Sequence, residues 1–160
     1  MKKIGILIGS KSDLAVMEDC FSILKQFNVS YETHVLSAHR TPDAVAEFAK
    51  NAHQNGFSIV IAAAGKAAHL AGVIAGHTAM PVIGLPIKSS TLDGLDSLLS
   101  VVQMPSGVPV ATVAINGALN AGLLAIQILA VSDINLYSSL VAYKKALCDK
   151  LLAEDNLTNS

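Results

Sequence analysis

Five short apolar segments alternate with alanine-rich helical segments along the chain, and this alternation constrains the fold more than any other feature. The segments typical of strands cover residues 4–8, 29–36, 57–62, 81–85 and 108–115. Helical patterns cover residues 13–26, 42–55, 67–76, 92–102, 117–131 and 133–153. Repeated strand–helix units predict a parallel sheet, because each pair of parallel strands needs a crossover connection.

The third strand segment indicates that the sheet is covered on both faces. Residues 59–63 read Ile-Val-Ile-Ala-Ala, an apolar run without the alternation of a half-exposed strand. We therefore expect an α/β fold, namely a three-layer αβα sandwich whose parallel five-stranded sheet has the flavodoxin-like order 2-1-3-4-5, with an extra C-terminal helix. Residues 1–160 are expected to form one domain with a frayed polar tail at 154–160.

The charge balance restricts the class of partner. Lysine and arginine number 11 against 12 acidic residues, a formal net charge of −1. Such a chain has little positive charge to bind a nucleic acid or an anionic membrane, so neither partner is expected.

One long segment lacks charge altogether. Residues 97–132 contain no charged side chain. Proline, glycine and asparagine interrupt this segment, so it holds no clean stretch of about 20 apolar residues that could span a bilayer. Because a small monomer cannot bury so much uncharged chain in its own core, we expect a homo-oligomer.

The N-terminus and the cysteines favour a cytoplasmic protein. The apolar segment after Met1 is too short for a signal-peptide core and is followed by no small-residue cleavage site. Cys20 and Cys148 form no CxxC pair and have no histidine at a metal-binding spacing. Neither a disulfide scaffold nor a zinc site is indicated.

In an open parallel sheet, ligands bind beyond the carboxyl ends of the strands. The segments that follow the predicted strands are residues 9–13, 37–42, 64–69, 86–91 and 116–117. Polar residues cluster in the first three of these segments. We therefore expect the functional site there.

Residues 9–13 read Gly-Ser-Lys-Ser-Asp and lead into a predicted helix. Free backbone N–H groups and hydroxyls at such a position suit an anion such as phosphate. A structural interpretation is equally open, because Ser12 and Asp13 are both favoured N-cap residues. The chain has no GxGxxG or GxxxxGK[ST] motif, so neither a dinucleotide fold nor a P-loop is supported.

Residues 37–42 read Ser-Ala-His-Arg-Thr-Pro, and Thr41 and Pro42 are expected at the N-cap and first position of a helix. Arg40 is the chain's only arginine, and its planar fork of donors suits phosphate or carboxylate. His39 beside it is a natural proton carrier. A surface salt bridge for Arg40 and a histidine without a role are the alternatives.

Small residues at 62–70 would admit a flat ligand where the third strand ends, with His69 one turn into the next helix. Taken alone, however, His69 and His77 are more typical of satisfied core histidines. His34 and His53 are expected on the surface. No histidine–carboxylate spacing indicates a metal.

Taken together, residues 9–13, 37–42, 67–70, 103–114 and 120–125 closely resemble the PurE family of purine biosynthesis, over nearly the whole chain. The Ala-Ala-His-Leu string at 67–70 is similar to class I, the 5-(carboxyamino)imidazole ribonucleotide mutases, rather than to the class II carboxylases. Three residues depart from that pattern: Lys66, Leu14 and Ala71 stand where glycine, tryptophan and proline are usual. Lys66 keeps a class II-like preference open.

The resemblance implies an isomerase that moves a carboxylate from the exocyclic nitrogen of the imidazole to ring carbon 4, by decarboxylation and recarboxylation, without cofactor or metal. Ser10, Ser12 and Arg40 would hold the 5′-phosphate, and Asp13 the ribose hydroxyls. The implied catalytic residues are His39 and His69, with His39 as the general acid–base. The implied substrate-binding residues are Gly9, Ser10, Ser12, Asp13, Ser37, Arg40, Gly65, Lys66, Ala67 and Leu70. The assembly implied is a homo-octamer in which neighbouring subunits complete each site.

Two other functions remain open at this point. Within the family, the alternative is a carboxylase that uses carbon dioxide directly. Outside enzymology, it is a flavodoxin-like module that senses a phosphate or nucleotide, for which the first loop alone would suffice.

Overall fold

The computed structural model describes residues 3–158, with side chains described through Asp155. The strands are β1 (Lys3–Ile8), β2 (Ser30–Val35), β3 (Phe57–Gly65), β4 (Val82–Ile87) and β5 (Ala111–Thr112). The helices are α1 (Glu18–Gln26), α2 (Pro42–Asn51), α3 (Leu70–Ala75), α4 (Leu95–Val102), α5 (Ala118–Ala130) and α6 (Ile134–Thr158). Short 3₁₀ segments at Lys11–Met17 and Leu92–Gly94 precede α1 and α4.

The five strands form one parallel sheet in the order β2-β1-β3-β4-β5, which confirms the predicted order. Ile8 at the end of β1 pairs with Val35 of β2 and with Ala63 of β3. The loops that follow these three strands therefore begin at nearly the same level, at one edge of the sheet. This register brings the predicted site segments together.

Helices cover both faces of the sheet, as the uninterrupted apolar strands predict. Ile6 and Ile8 pack into the core layer formed with α1 and α5. Leu7 points the other way and packs with residues of α2, α3 and α4. A fully buried leucine or isoleucine stabilises the fold by about 1.5–3 kcal/mol, so these two layers supply most of the driving force.

The fifth strand and the third helix are shorter than predicted. Strand β5 has two residues instead of the eight at 108–115. Before it, Pro109 has no backbone N–H to donate, and after it the chain turns where the Gly117 N–H donates to the Ala114 carbonyl at 2.9 Å. Helix α3 begins at Leu70 rather than at residue 67, because two tight turns, Ala68 N–H to Lys66 O and His69 N–H to Ala67 O, precede it.

The C-terminal helix α6 packs on α5 but leaves much apolar surface uncovered. Leu140 is buried against the core, whereas Tyr137, Val141 and Leu151 are exposed. The helix reaches Thr158, beyond its predicted end at residue 153, and the frayed tail predicted at 154–160 falls partly outside the described residues. No helix in the described part of the chain has the length and apolarity needed to cross a membrane.

Candidate active site

A cavity of about 640 Å³ opens at the carboxyl ends of the strands, where the sheet register brings the loops together. Its lining comes from the segments after β1, β2, β3 and β4. The lining residues are Gly9, Ser10, Ser12, Asp13, Ser37, Ala38, His39, Arg40, Ala64, Gly65, Lys66, Ala67, Leu70, Ile87, Lys88, Ser89 and Ser90.

The loop after β1 is organised by Ser10. The Ser10 hydroxyl oxygen accepts hydrogen bonds from the backbone N–H of Ser12 at 3.3 Å and from the Ser12 hydroxyl at 2.9 Å. Ser10 is therefore the N-cap of the following 3₁₀ segment. The N-cap role that the sequence left open for Ser12 and Asp13 belongs to Ser10 instead, and the side chains of Ser12 and Asp13 face the cavity.

Asp13 is the carboxylate that lines this cavity. Partial burial raises its pKa above the ordinary aspartate value. Hydrogen bonds from Ser12 and from the Ser10 backbone, and the charge of Arg40, act in the opposite direction without cancelling the effect of burial. Asp13 thus ionises less readily than an exposed aspartate while facing an arginine.

The Thr41 hydroxyl stabilises the loop after β2 and does not cap helix α2. Thr41 stands at the N-cap position of α2 with Pro42 in the first turn, as predicted, but its hydroxyl makes no capping bond. The hydroxyl instead accepts from the Ser37 N–H at 2.9 Å and donates to the Ser37 carbonyl at 3.0 Å. The Ser37 hydroxyl in turn accepts from the Arg40 N–H at 3.2 Å. These bonds fix the turn that carries His39 and Arg40.

Arg40 joins the first two loops. Its Nη2 donates to the Gly9 carbonyl at 2.8 Å. Within the described residues it makes no salt bridge, so the surface ion pair considered from the sequence is wrong. The guanidinium is exposed on the cavity side and keeps further donors for an anion.

His39 and His69 make a direct hydrogen bond, with His39 Nε2 at 2.9 Å from His69 Nδ1. One of the two nitrogens must donate and the other accept. A doubly protonated imidazole has donors at both nitrogens, so only one ring of the pair can be an imidazolium while this bond persists. The bond between the two rings therefore contains a single proton.

His69 lies immediately before α3, not one turn into it, and it is exposed rather than a core histidine. Its side chain borders a neighbouring cavity of about 430 Å³ that Gln103 and Met104 also line. It reaches the main cavity only through His39.

The loop after β3 supplies the apolar part of the cavity. A Cβ atom on Gly65 would lie 3.2 Å from the Ile87 carbonyl oxygen, so glycine allows the ends of β3 and β4 to approach closely. Leu70 is buried and contributes an apolar wall with Ala67. Lys66 adopts a left-handed backbone at φ +56°.

The cavity brings together His39 and all the predicted substrate-binding residues. The loop after β4 also lines the cavity, and the sequence did not predict it. Lys88 Nζ pairs with Asp93 Oδ1 at 2.5 Å, and the Lys88 N–H donates to Asn116 Oδ1 at 2.9 Å. The position of this loop after a strand was the available signal, but its residues carry no distinctive chemistry. Among the described residues, no group of three potential metal ligands comes together.

Comparison with known proteins agrees with this geometry. The family model described as AIR carboxylase matches residues 3–150. An N5-carboxyaminoimidazole ribonucleotide mutase of Thermotoga maritima is 52% identical over 95% of this chain and 89% of that protein. A chloroplastic phosphoribosylaminoimidazole carboxylase of Vigna aconitifolia is 50% identical over 94% of this chain but only 27% of that protein.

Similarity extends to solved structures. The crystal structure of Treponema denticola PurE superimposes with a TM-score of 0.88 at 30% sequence identity, covering 98% of each chain. Three findings indicate the same family: the matching family model, relatives about 50% identical along nearly the whole chain, and the shared three-dimensional structure. The chain therefore belongs to the AIR carboxylase, or PurE, family.

Proposed function

We propose that this chain is an N5-carboxyaminoimidazole ribonucleotide mutase of purine biosynthesis, acting as a single catalytic domain. It moves a carboxylate from the exocyclic nitrogen of the substrate to carbon 4 of the imidazole ring. The names of relatives that are 52% and 53% identical support this activity. The observation that carries it is the His39–His69 hydrogen bond of 2.9 Å beside a cavity that contains the only arginine.

The end of the cavity nearest β1 and β2 suits the 5′-phosphate. Arg40 offers a fork of charged donors, and the hydroxyls of Ser10 and Ser12 lie beside it in the same cavity. Asp13 and Ser37 line the same cavity, and the Asp13 carboxylate would accept hydrogen bonds from the ribose hydroxyls. The imidazole ring then extends towards the end of β3.

The end nearest β3 suits the reacting carboxyl group. Gly65, Ala67 and Leu70 provide a small apolar wall with little to bind water. Carbon dioxide released from the substrate nitrogen is held there close to ring carbon 4, at a high effective concentration. The reaction then needs no activating cofactor.

His39 is the general acid–base. It donates a proton to the exocyclic nitrogen as the carbamate loses carbon dioxide, and later accepts the proton that ring carbon 4 releases after attacking carbon dioxide. The proton accepted replaces the proton donated, so the step balances. The bond to His69 occupies Nε2 of His39, so Nδ1 is the ring nitrogen left to give and take the proton.

Substitution of the proton carrier tests the proposal. His39→Asn should bind the substrate nearly as well as the wild type but lose turnover by at least about 100-fold, the usual contribution of a positioned acid–base group. His53→Asn, an exposed histidine on the surface, is the matched control and should retain full activity. Turnover that survives in His39→Asn would contradict the assignment.

A carboxylase that takes carbon dioxide directly is the rival activity. Two observations favour the carboxylase: the name of the chloroplastic relative, and the cation that Lys66 adds to the cavity. The dependence of the rate on bicarbonate separates the two activities. A carboxylase needs bicarbonate as its source of carbon dioxide, whereas the substrate of a mutase already carries the carboxyl group.

We also propose a cytoplasmic homo-oligomer, an octamer by family resemblance, in which neighbouring subunits complete each site. A groove of about 740 Å³ between α5 and α6 supports it, because its lining is mainly apolar. Val131 and Ile134 beside this groove are 88% and 74% exposed, an unusual state for large apolar side chains. Analytical ultracentrifugation should give a mass of several subunits, and a monomer would contradict the proposal.

A further inference from the structure

The cavity contains three cationic side chains, and the protein engages two of them. Arg40 donates to the Gly9 carbonyl, and Lys88 is paired with Asp93. Lys66 makes no hydrogen bond or ion pair with any side chain in the described part of the chain. Among the described residues, Lys66 is therefore the cation of this cavity whose charged group is engaged by no other protein group.

The backbone of Lys66 is as unusual as its charge. It lies at φ +56°, in the left-handed region that favours glycine. The conformation is fixed by the loop, because the Lys66 carbonyl accepts the Ala68 N–H at 2.8 Å. Glycine adopts this conformation without strain, so the side chain can be removed at this position without disturbing the loop.

The sheet order separates Lys66 from Arg40. Arg40 follows β2 and Lys66 follows β3, and β1 lies between these two strands. The Arg40 guanidinium reaches the Gly9 carbonyl at the end of β1, whereas Lys66 directly follows β3. Two cations carried by different strand-end loops of one cavity suit a ligand with two anionic groups.

We propose that the Lys66 ammonium group binds the carboxylate of the carboxylated ribonucleotide and so makes the site discriminate against the uncarboxylated one. This inference rests on the proposed function, in which Arg40 holds the phosphate at the other end. Both carboxylated isomers present the anion, whereas released carbon dioxide is neutral and is not held by the charge. Lys66 thus stabilises the bound substrate and product rather than the intermediate between them.

Differential stabilisation of this kind has a kinetic signature. An interaction that is made in the ground state and weakened during the reaction lowers KM without raising kcat. Removing Lys66 should therefore raise KM by about tenfold, the value of one partly screened charged contact, and leave kcat unchanged or higher. The loss should shrink as salt is added.

The test compares two nucleotides by calorimetry, 4-carboxy-5-aminoimidazole ribonucleotide and 5-aminoimidazole ribonucleotide. The titrations are made in the His39→Asn background, so that conversion between the two carboxylated isomers adds no heat of reaction to the heat of binding. Lys66→Gly removes the charge and suits the backbone, and Lys66→Gln removes the charge alone. Lys66→Arg keeps a cation, and Lys50→Gln on the outer surface of α2 controls for net charge.

Support would be an affinity for the carboxylated nucleotide about tenfold lower in Lys66→Gly and Lys66→Gln, with unchanged affinity for the uncarboxylated one and recovery in Lys66→Arg. Equal losses for both nucleotides, or no loss for either, would overturn the inference while leaving the proposed function intact. Failure of the wild type to bind either nucleotide would overturn the proposed function and this inference with it.

Discussion

Replacing Arg40 by alanine should weaken substrate binding strongly while leaving the protein folded. The side chain is exposed, and within the described part of the chain it makes one hydrogen bond, from Nη2 to the Gly9 carbonyl at 2.8 Å. Its remaining donors face the cavity, where a charge-assisted contact with phosphate stabilises the complex by about 1.5–3 kcal/mol. That range corresponds to about a 10- to 150-fold rise in the substrate dissociation constant.

The conservative variant separates charge from geometry. Arg40→Lys keeps the positive charge but loses the planar fork and the fixed link to Gly9, so its affinity should fall between those of the wild type and Arg40→Ala. Calorimetry with the ribonucleotide measures all three, with Lys50→Ala as the surface control and thermal melting as the check on folding. An Arg40→Ala protein that is folded and binds with unchanged affinity would refute the phosphate assignment.

Three further perturbations follow from the structure. Gly122→Ala should destabilise the protein by about 1–3 kcal/mol in urea denaturation, because a Cβ there would lie 2.5 Å from Ile23 Cγ2. Stability lost in that variant should partly return when Ile23→Ala is added. An unchanged denaturation midpoint in Gly122→Ala would contradict this close helix contact. A thiol reagent should modify the exposed Cys148 quickly and the buried Cys20 only on unfolding, because burial raises the pKa of Cys20 to about 12. Rapid reaction of both thiols in the folded protein would be inconsistent with the fold. Burial also raises the pKa of Asp13, so over a range of pH the folded protein holds a proton that the unfolded chain has released. Stability should therefore fall as pH rises from about 3.9, the ordinary aspartate pKa, through the folded-state pKa. Melting curves of Asp13→Asn should lack this fall, and a fall of equal size in the variant would exclude Asp13 as its source.

The sheet order and its coverage could be predicted because they depend on patterns that span whole elements. The apolar run at 59–63 indicated a strand buried on both faces, and β3 runs from Phe57 to Gly65 with helices on each side. Strand β5 was overestimated because β-rich composition at 108–115 does not reveal where Pro109 and the turn at Gly117 limit pairing.

The site segments could be predicted because the carboxyl ends of parallel strands meet at one edge of a sheet. The details could not, because they depend on bonds between distant segments. The sequence gives Thr41 the features of a helix cap, but its hydroxyl bonds Ser37 instead. Likewise, 30 positions separate His39 from His69, and no local pattern indicates that their rings meet.

The most direct measurement follows the ultraviolet absorbance of the wild-type protein, without ATP, mixed with N5-carboxyaminoimidazole ribonucleotide and separately with 5-aminoimidazole ribonucleotide plus bicarbonate. We expect rapid conversion of the carboxyamino compound to 4-carboxy-5-aminoimidazole ribonucleotide, and little conversion of the other mixture. Conversion chiefly of 5-aminoimidazole ribonucleotide with bicarbonate would contradict the mutase assignment in favour of a carboxylase, and absence of both reactions would contradict the catalytic account as a whole.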